Sequence, residues 1–172
     1  MLFDSTLLFY HATTAYNFTA GEFVSLIGVG TASSCASTVI NLGNARDLGI
    51  GNGPDTPMVE LTIGTAVTSS CASTLINAQF QGSTNSTAWT TYAESGANST
   101  ASWGVGAQIL PINVPRRPTG AALPLYYRVN LVVTGAVAGE TISTGSIIGG
   151  IVLARADSPD TLGSYPAGFT VV

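Results

Sequence analysis

The hexapeptide Ser-Ser-Cys-Ala-Ser-Thr occurs twice, at residues 33–38 and 69–74, and holds both cysteines of the chain, Cys35 and Cys71. A thiol can act as a nucleophile, a metal ligand or half of a disulfide. As metal ligands the two lie far apart in sequence, and His11 is the only other soft ligand, a spacing that matches no zinc site. A Cys35–Cys71 disulfide would close a loop of about 36 residues and add on the order of 3–4 kcal/mol. A reducing folding compartment opposes it. The plainer reading is one strand pattern used twice, since the copies continue as "SSCASTVIN" and "SSCASTLIN". Each strand would then leave a small-residue turn, with Ile40 and Ile76 inward and Asn41 and Asn77 outward. Two units are too few for a solenoid.

Other catalytic constellations find little material. His11 is the single histidine and lies in "FYHATT", with no strand-turn-helix nucleophile elbow to serve it. The nine carboxylates are scattered, and Asp157 and Asp160 in "ADSPDT" read as a turn. "GVGTAS" and "GIGNGP" are glycine-rich but lack the following helix and lysine of a phosphate loop. Asn17, Asn85 and Asn98 head N-x-S/T triplets, which are expected by chance in so Ser/Thr-rich a chain. The expectation is a protein that is not an enzyme, with no catalytic residue, no cofactor and no metal.

The composition says what must surround such residues. The 172 residues suffice for one domain with a real core. Charged residues are 8% of the chain, and all five basic residues are arginines, Arg46, Arg116, Arg117, Arg128 and Arg155. Ser, Thr, Ala, Gly and Val dominate, which is a β-rich signature. A surface so poor in charge is suited to lying against another protein. A net charge of −4 argues against nucleic acid as partner. No apolar run approaches the roughly 20 residues of a membrane span, so no membrane partner is expected. The start "MLFDSTLLFYHATTAYNF" has no basic region and an early Asp4, unlike a signal peptide, which points to folding in a reducing cytoplasm.

Strand-like segments recur every 10–15 residues or so between turn clusters. The alternation predicts strands over 21–29, 37–43, 58–64 and 73–81, the last with Ile76, Ala78 and Phe80 on one face and Asn77, Gln79 and Gln81 on the other. A short strand is expected near 87–92, one over 105–115 interrupted by Pro111, and the two best over 124–135 and 145–156. The Gly-rich stretch 135–145 suits a hairpin-like return between those two. This pattern defines an all-β, single-domain antiparallel β-sandwich or jelly roll. An extended N-terminal arm and first strand region are expected over 1–20, with the sandwich over 21–172.

Three stretches then carry a resemblance: the leader "MLFDSTLLFYHATTA", the segment "VINLGNARDLGIGNGPDTPMVELTIGTA", and "YYRVNLVVTGAVAGETISTGSIIGGIVLA". Taken in that order they resemble the Bbp16-type capsid cement (decoration) proteins of tailed bacteriophages. The resemblance runs over most of residues 1–155 and is thinnest over 82–122; "NARDLGIG" (44–51) is its most specific motif. It implies a jelly-roll structural protein on the outer surface of an HK97-like head, made in the host cytoplasm and located in the virion. Its partners would be the major capsid protein, whose neighbouring subunits it clamps, and further copies of itself in a homodimer or homotrimer.

Within that picture the apolar arm residues Leu2, Phe3, Leu7, Leu8, Phe9 and Tyr10 either pack on their own sandwich or lie on a neighbour. Arg46 and Asp47 offer charges on a loop, for a partner or for each other. Arg116 and Arg117, between Pro115 and Pro118, sit on a stiff loop that either meets acidic groups of a shell subunit or forms a solvated rim. An alternative reading is a carbohydrate- or receptor-binding sandwich of a phage fibre, with Trp89, Tyr92 and Trp103 as coplanar, exposed stacking surfaces.

Overall fold

Alternation decides the longest ladders. A computed structural model of the chain describes residues 8–10, 16–17, 33–37, 39–48, 57–135 and 142–153. Its strands are β1 (Leu8–Tyr10), β2 (Tyr16–Asn17), β3 (Ser33–Ala36), β4 (Ile40–Asn41), β5 (Pro57–Ser69), β6 (Leu75–Ser83), β7 (Thr90–Glu94), β8 (Asn98–Ser99), β9 (Ile112–Asn113), β10 (Tyr126–Thr134) and β11 (Ile142–Leu153). On β5 the residues Val59, Leu61 and Ile63 are buried, and on β6 so are Ile76, Ala78 and Phe80. Tyr127, Val129, Leu131 and Val133 continue the pattern on β10. A period of two puts each set on one face of its sheet, and that face becomes the core.

Two antiparallel sheets result. The first runs β1-β11-β5-β9, with β2 also on β11; the second runs β3-β10-β6-β7, with β4 on β10 and β8 on β6. Their inner faces share one apolar cluster that includes Val59, Leu61, Ile63 and Ile147 from the first sheet and Phe80, Tyr127, Val129 and Leu131 from the second. The chain is therefore an all-β sandwich. On β11, Gly149 faces Leu61, and a Cβ there would collide with the Leu61 side chain and the Glu60 carbonyl, so the centre of this strand must be glycine.

Several expected elements take a different form. β10 and β11 lie in different sheets, so 135–145 is not a hairpin return. Both edges of each strand are already taken, by β3, β4 and β6 on β10 and by β1, β2 and β5 on β11. The strand expected over 37–43 shrinks to Ile40–Asn41. The one expected over 105–115 becomes an isolated bridge from Gln108 to Thr62 and the two-residue β9, with Pro111 between them. Residues 8–10 and 16–17, within the stretch expected to hold the arm and first strand region, pair with β11 as part of the first sheet. The strand expected over 21–29 and the last residues of the chain lie outside the described residues.

Candidate interaction surface

The loop after β4 carries the described part of the "NARDLGIG" motif, and it is fastened at three points. Arg46 N donates to Pro124 O at 2.9 Å, and Leu42 N donates to Leu125 O at 3.0 Å. Asp47 Oδ2 accepts from Arg117 N at 3.1 Å and stands 3.9 Å from Arg117 Nε. The Asp47 side chain is 2% exposed, so this carboxylate is an internal staple rather than a contact for another molecule. Arg117, whose guanidinium also donates to Ala121 O, is bonded within the chain as well, but its side chain stays 37% exposed. The Arg46–Asp47 pairing does not form, because Arg46 turns back to donate to Leu42 O at 3.1 Å. Arg46 and Arg116 are exposed. Of the four charged residues expected at an interface, Asp47 is shut inside, Arg117 holds a loop while its side chain stays partly exposed, and Arg46 and Arg116 face outward.

Beneath the staple lies an aromatic cluster. Phe80 and Tyr127 stack at 5.2 Å with their planes 4° apart, and Tyr92 meets both edge-on. Tyr92 lies over Gly82, where a Cβ would come within 2.7 Å of its ring. Tyr127 Oη accepts from Leu48 N at 3.5 Å. Burial pushes the Tyr127 phenol up to about 12, with Tyr92 and Asp47 adding to the rise and the Leu48 bond opposing it. Tyr92 is raised too, by burial first and then by Asp47, against the opposing charge of Arg117. Trp103 is wholly buried, its carbonyl accepting from Val67 N at 3.0 Å, and its indole Nε1 has no hydrogen-bond partner. The coplanar, exposed trio required by the carbohydrate-binding reading is therefore absent: Trp103 is core and Tyr92 packs inward. That reading loses its support.

The outer face of the second sheet holds what the sequence reading passed over. The β6–β10 register sets Gln81 opposite Arg128 and Gln79 opposite Asn130, while Gln79 also faces Glu94 of β7. Glu94 Oε2 accepts from Asn77 Nδ2 at 2.9 Å and from Gln79 Nε2 at 3.4 Å. Gln79 Oε1 accepts from Gln81 Nε2 at 3.2 Å and from Asn130 Nδ2 at 3.4 Å. Gln81 Nε2 donates also to Thr91 Oγ1 at 3.1 Å, and Gln81 Oε1 accepts from Arg128 Nε at 2.9 Å. The anion at Glu94 thus orients each amide in turn, and the last acceptor points at Arg128. The Arg128 guanidinium lies 4.1 Å from the centre of the Trp89 ring. Burial lowers the Arg128 pKa. The alternation of Asn77, Gln79 and Gln81 was visible in the sequence, but their convergence on Arg128 needs the register of two strands about fifty residues apart.

The remaining candidates are placed as follows. Cys71 is buried with a free thiol, 2.8 Å from Ser73 Oγ. Cys35 stands on β3 opposite Leu131, while Cys71 Sγ is 4.0 Å from the Gly135 carbonyl, four residues further along, or roughly 13 Å of strand. A disulfide needs Cα atoms within about 7 Å, and the two are not bridged here. The side chains of Leu8, Phe9 and Tyr10, and all of Leu2, Phe3, Leu7 and His11, lie outside the described residues. Among the described residues no three His, Cys, Asp or Glu side chains converge as metal ligands, and no helix is long and apolar enough to cross a membrane. No protein-family model matches this chain, and no curated protein matches it.

Proposed function

We propose that the chain is a capsid cement, or decoration, protein of a tailed bacteriophage. In this reading it binds the outside of an HK97-like head, bridges neighbouring major capsid protein subunits, and acts as a homodimer or homotrimer without catalysis. The observation that carries the reading is the "NARDLGIG" loop, the most specific point of resemblance. Its described part is stapled at Asp47 and Arg46 N, while the side chains of Asn44, Ala45 and Arg46 remain exposed. A loop fixed before binding loses little further conformational entropy on contact, which is what a clamp between subunits requires. A sandwich with little surface charge is suited to the same task, because few ions must be desolvated when it is covered.

The test is co-sedimentation of the purified chain with heads of its own phage stripped of it, titrated to saturation. Saturation at a fixed ratio to shell subunits, with a rise in the heads' resistance to heat, is the expected result. Absence of binding to such heads would reject the reading.

A further inference from the structure

We infer that the Arg128–Trp89 pair on the outer face of the second sheet is a docking point for a carboxylate of a partner protein. The partner this assigns is the shell subunit, so the inference rests on the function proposed above and gives it a contact.

Three observations point to that ligand. First, the guanidinium is held on both flanks: Trp89 lies under its plane at 4.1 Å, and Gln81 Oε1 accepts from Nε at 2.9 Å. Gln81 is itself 7% exposed and is oriented by Thr91 and Gln79. An arginine side chain normally loses much rotamer freedom when it binds; this one is already fixed. Second, the bond from Nε leaves the two terminal nitrogens with no partner among the described residues. These are the donors of the planar fork that matches a carboxylate in a bidentate pair. Third, the charge has no counter-ion among the described residues. The one salt bridge among the described residues is that of Arg117 with Asp47, and the carboxylate of Glu94 is engaged by Asn77 and Gln79, two amides away from Arg128. The flank made by Trp89 also keeps water from one side of the ion, which strengthens a charge-assisted bond on the other side. Arginine and tryptophan are the residue types that dominate binding energy at protein interfaces.

The complementary group is a carboxylate rather than an extended anionic polymer. Among the described residues Arg128 is the one cation of this face, whose other charge, Glu94, is engaged by Asn77 and Gln79, and the exposed Thr91 beside Gln81 offers a polar contact for the backbone around an Asp or Glu of a partner. A polyanion would require several cations in a row, which the described residues of this face do not supply.

The experiment measures binding of the full chain to stripped heads at several salt concentrations, for the wild type and for Arg128→Gln, Arg128→Glu and Trp89→Phe. Thermal unfolding of each variant is recorded alongside. Arg128→Gln is expected to bind roughly tenfold more weakly and Arg128→Glu about a hundredfold, with unfolding temperatures close to wild type. The salt dependence should flatten in Arg128→Gln, a change that a purely structural role would not produce. Trp89→Phe, which keeps an aromatic flank, should retain most of the affinity. Wild-type binding matched by Arg128→Glu would overturn the inference and leave the cement reading intact. Failure of the wild type itself to bind heads would remove both. Retention of the wild type by dextran sulfate, lost in Arg128→Glu and without head binding, would reassign the site to a sulfated polymer and overturn the carboxylate.

Discussion

The described residues of one repeated hexapeptide fold in two ways on opposite edges of one strand. In the first copy, Ser33–Ala36 is strand β3, laddered to Val133 through Asn130 of β10. In the second copy only Ser69 belongs to a strand, the end of β5, and residues 70–74 turn the chain over from the first sheet to the second. There Ser69 Oγ accepts from Cys71 N at 3.2 Å and meets Thr74 Oγ1 at 2.8 Å, closing the turn with its own side chains. Both copies then deliver an isoleucine to the core and an asparagine to the surface side, Ile40 and Asn41 in one, Ile76 and Asn77 in the other. The fifth residue of the hexapeptide bonds to β10 in the first copy and to the residue just past its end in the second. Ser37 donates its N–H to Val129 O at 2.8 Å and accepts from Val129 N through Oγ at 3.0 Å, whereas Ser73 Oγ donates to Gly135 O at 2.6 Å. Ser, Ala and Cys impose little backbone preference of their own, so position along β10 decides whether the peptide extends or turns.

The comparison can be broken most forcefully at the isoleucines. Ile76→Ala should cost about 2–5 kcal/mol, because the side chain is wholly buried in a nine-residue strand. Ile40→Ala should cost less, since β4 is two residues long and its surroundings can close on the gap. Urea unfolding of both variants decides it, and equal losses would mean that the two copies are mechanically equivalent. The serines give a smaller difference. Ser37→Ala strands the N–H of Val129, whose residue is buried, and should cost about 1–3 kcal/mol; Ser73→Ala frees an exposed carbonyl to water and should cost roughly 0.5–1 kcal/mol. Reversed ranking in the same assay would show that the turn, not the strand, needs its serine more.

The smallest effect appears only in alkali and belongs to the first copy's end of β10, where Tyr127 stands opposite Ile40. With the Tyr127 phenol raised from 10.0 to about 12, both folded and unfolded chains keep the proton below pH 10. Between pH 10 and 12 the unfolded chain ionises while the folded one does not, so this contribution to stability is intact below pH 10 and is lost as pH rises toward 12. Urea midpoints measured from pH 9 to 12 should fall, and Tyr127→Phe should flatten that fall. An identical slope in the variant would assign the loss to other groups.

Legibility followed the range of the interactions. β5, β6 and β10 were readable because alternation along a strand is local information, and the inward Ile and outward Asn of both hexapeptide copies were readable for the same reason. The connection at 135–145 was not, because glycines specify a change of direction but not which sheet receives the chain. Trp103 looked like a surface anchor amid Ser, Gly and Ala, and only its contact with β5 through Val67 puts it in the core. Asp47 and Arg117 are seventy residues apart, and neither declares its partner in sequence. The same holds for Arg128 and Trp89, where the alternation over 124–135 marked the strand but not the aromatic flank.

The segment from Trp103 to Val114 runs beside β5 and binds it at many points: Trp103 O to Val67 N, Ala107 O to Ile63 N, Ile63 O to Gly106 N, Leu61 O to Ile109 N and Pro57 O to Val114 N. Little of it is regular strand, yet it occupies the hydrogen-bonding groups that a second molecule would need in order to add itself to β5. With few charges to hold copies apart, an open edge on so neutral a sandwich would template end-to-end polymers at high concentration. The irregular strap ends that growth at β5, so identical copies that crowd against this edge meet side chains rather than free backbone groups.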